Sequence, residues 1–227
     1  MIIHNLHSWD ISVREAPLLQ KKLAGKVLLK GARTRPKIVA GADISTNKNS
    51  PHAYAGVVLL EFPSLDVLDT FTIEGEMTFP YIPGLLSFRE APILLELFRK
   101  VHPAPDLIFF DGQGVAHPRK LGLACHMGLF LDCPTIGCAK SRLVGEYEEP
   151  ALEKGAFSWL YDKKGTVLGA AVRSRENCKP IFVSVGHKID PGAAIQRTLA
   201  CTSRYRIPEP TRLAHHLVND MRKNSQE

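Results

Sequence analysis

The spacing of apolar and polar positions changes several times along the chain. Ala16, Leu19, Leu23 and Val27 recur at helical spacing while Lys21, Lys22, Lys26 and Lys30 fall mainly elsewhere, which predicts an amphipathic helix over 12–30. The pattern then becomes strand-like. Ile38 to Asp43, Tyr54 to Phe62 and Leu65 to Ile73 read as three strands, with a turn at Pro63-Ser64. Their short connections predict an antiparallel meander. A stiff loop, Pro80-Tyr81-Ile82-Pro83-Gly84, leads to a helix over Phe88 to Val101, with Leu94, Leu97, Phe98 and Val101 on one face. Asp106 to Asp111 is an unbroken apolar run with an acid at each end. With the helical stretch near 119–131 behind it, that run predicts a buried parallel strand, and Pro134 to Cys138 repeats the pattern. Phe157 to Tyr161 and Thr166 to Val172 read as a hairpin, and Ile181 to Val185 as a further strand. Asp190-Pro191 opens a helix, with the acid as N-cap and proline first, and a last helix follows Pro208-Glu209-Pro210. The sum is a single mixed α/β sheet, a meander first and then alternating helices and strands.

Composition narrows the class. Hydrophobic residues make up 44% and charged residues 23% of 227 positions, enough for one globular domain over 1–227, and no repeat or linker divides it. The net charge of +6 favours a polyanionic partner, although many soluble proteins carry this charge without one. Five cysteines, Cys125, Cys133, Cys138, Cys178 and Cys201, form no zinc-ribbon or paired spacing and read as reduced thiols. The N-terminal residues lack the pattern of a signal peptide, and no apolar run reaches membrane-spanning length. The expectation is a cytoplasmic protein.

Candidate chemistry begins with acids. Asp43 follows a strand-forming stretch, and Asp111 ends the most apolar strand, where α/β sheets bind ligands. Brought together, they would repel unless a cation lay between them, and Mg²⁺ takes such oxygen ligands. Asp111 also fits a simple cap after a strand. Glu90 has two readings. Ser87-Phe88-Arg89-Glu90 matches a capping box, but Pro92 sits badly in that helix; a start nearer Pro92 frees Glu90 to reach a metal-bound water.

The segment Asp111-Gly112-Gln113-Gly114-Val115-Ala116-His117-Pro118 is the richest in the chain. Its glycines admit close backbone approach, and Pro118 holds His117 extended for acid–base work or phosphate contact. Tyr81, between two prolines, either pins its loop onto the core or wedges into a base stack. Lys140, past a strand end, is a phosphate ligand or a solvated loop lysine. His215 lies at the margin of the last helix's apolar face, able to border the core or reach a site.

Together these segments resemble the endonuclease V family. The matching stretches are Val39-Ala40-Gly41-Ala42-Asp43; Pro80-Tyr81-Ile82-Pro83-Gly84-Leu85-Leu86-Ser87-Phe88-Arg89-Glu90; Phe110-Asp111-Gly112-Gln113-Gly114-Val115-Ala116-His117-Pro118-Arg119; Pro134-Thr135-Ile136-Gly137-Cys138-Ala139-Lys140; Gly186-His187; and Arg206-Ile207-Pro208-Glu209-Pro210-Thr211-Arg212. They fall in the family's order over roughly residues 9 to 217, and Cys138 departs from a common valine.

The resemblance implies an RNase H-like mixed sheet with helices on both faces. It implies Mg²⁺-dependent hydrolysis, with Mn²⁺ able to substitute, at the second phosphodiester 3′ to a deoxyinosine. By that similarity Asp43 and Asp111 bind metal and Glu90 completes the acidic cluster. His117 and Lys140 act near the scissile phosphate, and His215 matches a position near the metal. Tyr81 is the wedge, while backbone around Gly84, Leu86 and Gly122 lines the pocket for the flipped base. The expected partner of this monomer is DNA with deaminated bases. Inosine-containing RNA is an alternative substrate, and a non-catalytic module for damaged nucleic acid is an alternative of another class, one that would tolerate loss of the carboxylates.

Overall fold

The structure is a computed structural model that describes residues 1–31, 35–47 and 50–225. Its first helix, α1 (Ala16–Ala24), is much shorter than the 12–30 segment its periodicity predicts, and ends at Gly25. Glycine loses more backbone freedom in a helix than other residues, so the pattern continues past the point where the helix stops.

The predicted meander is present. β1 (Ile38–Thr46), β2 (His52–Glu61) and β3 (Val67–Glu76) pair antiparallel in chain order. β1 continues through Asp43 to Thr46, so the acid sits inside the strand. After α2 (Leu86–Lys100) come β4 (Leu107–Asp111), α3 (Leu123–Leu131) and β5 (Thr135–Ala139). The predicted hairpin is β6 (Phe157–Tyr161) with β7 (Val167–Val172), and β8 (Ile181–His187) follows. Two helices, α4 (Pro191–Ala200) and α5 (Glu209–Asn224), close the described chain. Asp190 caps α4 as expected, its carboxylate accepting from the Ala193 amide at 2.9 Å.

All eight strands join one sheet in the order β3-β2-β1-β4-β5-β8-β7-β6. β4 runs parallel to both β1 and β5, whereas β8 is antiparallel to β5 and β7. Alternation along the strands divides the core in two. Val39, Phe109 and Ile136 face the side covered by Ala194 and Ile195 of α4 and Ala214 of α5. Ala40, Ile108 and Phe110 face the side packed by Leu94, Leu97 and Phe98 of α2. Helices thus cover both faces. α3 is buried on every side.

Neither expected start of the helix that carries Glu90 holds. Leu85, not Ser87, is the N-cap of α2, and no side chain caps it. Ser87 lies inside the helix, buried, 3.0 Å from Nδ1 of His126, so burial outweighs the capping-box pattern. Pro92 is also inside α2, which begins well before it. The helix tolerates the proline because burial of Phe88, Leu94, Leu95, Leu97 and Phe98 offsets one missing hydrogen bond.

Candidate active site

The parallel centre of the sheet sets the site. Ala42 of β1 pairs with Phe110 of β4, so Asp43 and Asp111 follow side by side on adjacent strands. Asp111 in turn pairs with Cys138 of β5, and the chain leaves β5 toward Lys140. Lys140 returns its ammonium to Asp111, Nζ to Oδ2 at 2.5 Å. α5, packed on the face to which Gly41 and Asp43 point, brings His215, whose Nδ1 lies 2.8 Å from Oδ2 of Asp43. One ligand atom each from Asp43, Asp111 and His215 lie within 4.8 Å of one another.

This arrangement carries electrostatic strain. Burial raises the Asp43 carboxyl above its ordinary range and the Asp111 charge adds to it, while the hydrogen bond from His215 opposes both. Glu90, on α2, is pushed up to about 8, first by burial and then by the charges of Asp43 and Asp111. Three acids therefore share one region of field, although Glu90 is not one of the three residues in the tight donor group. Two carboxylates and an imidazole at this spacing fit a hard divalent cation that keeps part of its water shell.

A cavity of about 360 Å³ opens beside the acids. Tyr81, Gly84, Leu86 and Gly122 all line it, with Asp111, His117 and Lys140. Gly84 has φ +79°, and a Cβ there would stand 2.9 Å from Nη2 of Arg119, so the turn requires glycine. Its carbonyl is held by three donors: Gln20 Nε2 at 3.0 Å, His117 Nε2 at 3.0 Å and Arg119 Nη2 at 2.7 Å. Gln20 and Arg119 also bond each other. The sequence reading did not single out Gln20; a glutamine at an inward position of an amphipathic helix was the available signal.

His117 is almost fully buried. Burial, then the Arg119 cation, lowers it to about 4, so the ring is neutral near pH 7. Its Nδ1 accepts from the Arg119 amide at 3.2 Å while Nε2 donates to the Gly84 carbonyl. Both ring nitrogens are engaged with the protein. Tyr81 is 70% exposed and does not pin the loop to the core; Ile82 packs there instead, with Ala16, Leu85 and Phe88.

An eight-stranded mixed sheet, with acids on adjacent strands at its parallel centre and helices on both faces, defines the RNase H-like class of fold. The model of the Endonuclease V family matches residues 21–216. The chain belongs to the endonuclease V family. The endonuclease V of Methanothrix thermoacetophila is 50% identical over 212 residues, covering 93% of each chain. The crystal structure of endonuclease V from Streptomyces avermitilis matches with a TM-score of 0.91 at 38% identity, over 100% of both chains. That of Ciona intestinalis, in complex with a 24mer DNA containing an inosine followed by a ribo-adenosine, matches at a TM-score of 0.82 and 30% identity, covering 93% of this chain and 98% of that one. No helix among the described residues is long and apolar enough to cross a membrane.

Proposed function

We propose that this protein is a monomeric, Mg²⁺-dependent endonuclease, active also with Mn²⁺, that nicks DNA at the second phosphodiester 3′ to a deoxyinosine or another deaminated base. The observation that carries the reading is the convergence of Asp43, Asp111 and His215 beside a base-sized cavity. The Ciona intestinalis relative, bound to inosine-containing DNA, supports the choice of lesion.

In this reading Asp43 and Asp111 hold the cation, His215 supports Asp43, and Glu90 completes the acidic cluster. A divalent cation there supplies charge stabilisation for the phosphodiester oxygens and a more acidic water. Hydrolysis forms a bond from water oxygen to phosphorus and breaks the bond to the 3′-oxygen, leaving a 3′-hydroxyl and a 5′-phosphate. Lys140, paired with Asp111, offers its ammonium to the phosphate. His117 is assigned a different part from proton transfer beside the phosphate. With both nitrogens engaged, it holds the Gly84 turn that forms one wall of the cavity.

The cavity distinguishes bases by their edges. Hypoxanthine has O6 in place of the adenine amino group and a proton on N1. The first-turn amides of α2, at Leu86 and Ser87, lack helical acceptors and suit a keto oxygen. Tyr81, exposed at the rim, takes the place the extruded base leaves in the stack.

The test is a duplex with one deoxyinosine. Nicking is expected with Mg²⁺, none with EDTA, and none by Asp43→Ala or Asp111→Ala while binding persists. Full activity of both variants would end the metal assignment. A second reading, inosine-containing RNA, takes support from the ribonucleotide in the Ciona intestinalis complex. DNA and RNA strands competing in one reaction separate the two.

A further inference from the structure

Glu90 and Asp111 line different cavities, and the reading above uses one of the two. The second, of about 630 Å³, has Glu90 in its wall, whereas Asp111 lines the first. Tyr81 and Leu86 line both and form the partition between them. The second cavity is lined further by Ile44, Thr46, Ser50, Met77 and Arg89.

A phosphodiester has a nucleotide on each side. If the lesion base fills the first cavity and its strand crosses the acids, the chain beyond the cut must leave on the side of Glu90. We infer that the second cavity is a subsite for the first nucleotide past the cut, on the side away from the lesion. This rests on the nuclease reading and extends it.

The lining suits that ligand. Ile44 and Met77 offer apolar surface to a ring face, and the hydroxyls of Thr46 and Ser50 offer sequence-tolerant polar contacts. Arg89 supplies charge. Its Nη1 donates to the Phe79 carbonyl at 2.7 Å, which holds the guanidinium, and no carboxylate lies within 4.0 Å of it among the described residues. A guanidinium anchored by a carbonyl, near enough to Glu90 to feel its charge but not ion-paired with it, is a ready contact for a nucleotide phosphate. The cavity falls within the range of about 300–1,000 Å³ usual for small-ligand sites. It is framed by β1 and α2, rigid elements that also carry Asp43 and Glu90.

The experiment uses two inosine-containing strands that differ only in whether the first nucleotide past the cut carries its base or is an abasic tetrahydrofuran unit. With the unaltered protein, loss of that base is expected to raise KM about tenfold with kcat little changed, the scale of one base stacked on protein. Thr46→Trp, which fills the cavity, is expected to raise KM for the intact strand by a similar factor. The two changes together are expected to cost little more than either alone, because they remove the same interaction. Equal KM on both strands with the unaltered protein, or penalties that multiply in the variant, would overturn the subsite. The comparison of strands on the unaltered protein does not depend on the variant's folding, which thermal unfolding checks. If the unaltered protein cuts neither strand, the nuclease reading itself fails and the subsite with it.

Discussion

Nδ1 of His215, on the last helix, donates to Oδ2 of Asp43, on the first strand, across 172 positions of chain. The bond needs α5 to lie directly on β1. Gly41 allows this, since a Cβ at that position would stand 1.9 Å from the Pro210 carbonyl oxygen. The stretch before α5 is tied in as well, with Arg206 donating to the Lys140 carbonyl at 2.8 Å. Helix and strand thus hold one site from two ends of the chain.

Replacing the imidazole tests that bond. His215→Ala is expected to weaken cation affinity by about 10- to 100-fold, the usual cost of losing a group that orients a metal ligand. The reading is the Mg²⁺ concentration giving half-maximal nicking. An unaltered concentration dependence would remove His215 from the site.

Gly41→Ala tests the docking itself. With no room for the methyl group, α5 must shift, at a cost on the order of 3 kcal/mol from overpacking. Denaturant unfolding measures the loss. Nicking should fall further than folded fraction alone explains, because His215 moves with the helix; a loss of stability with unchanged activity per folded molecule would separate the two.

Tyr81→Ala is expected to leave stability within about 0.5 kcal/mol, as for other exposed side chains. Affinity for an inosine duplex should fall about tenfold, the worth of one aromatic stack. Fluorescence anisotropy and thermal melting on the same variant check both halves, and a large drop in melting temperature would restore a core-pinning role.

Two buried histidines set the acid side of stability. His126 is lowered to about 3 by burial and by His7, and His117 to about 4 by burial and by Arg119, each from an ordinary value of 6.5. The unfolded chain therefore takes up protons below about pH 6.5 that the folded chain refuses. Their contribution is full above that pH and falls as pH drops toward 4, by about 1.4 kcal/mol per pH unit for each histidine, while Glu90, raised to about 8, works in the opposite sense over the same range and offsets part of the loss. Urea unfolding at pH 7, 6 and 5 tests this. His126→Phe should make the slope shallower, and a slope equal to that of the unaltered protein would exclude His126 as a cause.

The strands were largely legible because their apolar runs are short and bounded by turn residues. β4 and its terminal Asp111, the hairpin of β6 and β7, and the Asp190 cap all lie where the local pattern puts them. The start of α2 was not. Ser87 and Pro92 carry strong local signals, and tertiary burial of the helix's apolar face overrode both. The extent of α1 was misread for a related reason, since a periodic pattern costs nothing to continue in sequence while a helix without packing is only marginally stable.

The chain alone determined which chemistry was available. Acids at strand ends, a histidine held by proline, an aromatic between two prolines and a lysine beyond a strand are all local features, each set by backbone preference and side-chain type. Which of them meet was decided only by the fold. Pairing of β1 with β4 sets Asp43 beside Asp111, and the docking of α5 delivers His215 from the far end of the chain. Burial also set both ring nitrogens of His117 against the protein, one on the Gly84 carbonyl and one on the Arg119 amide. Contacts between distant residues depend on how sheet and helices pack as a whole, and no local spacing records that.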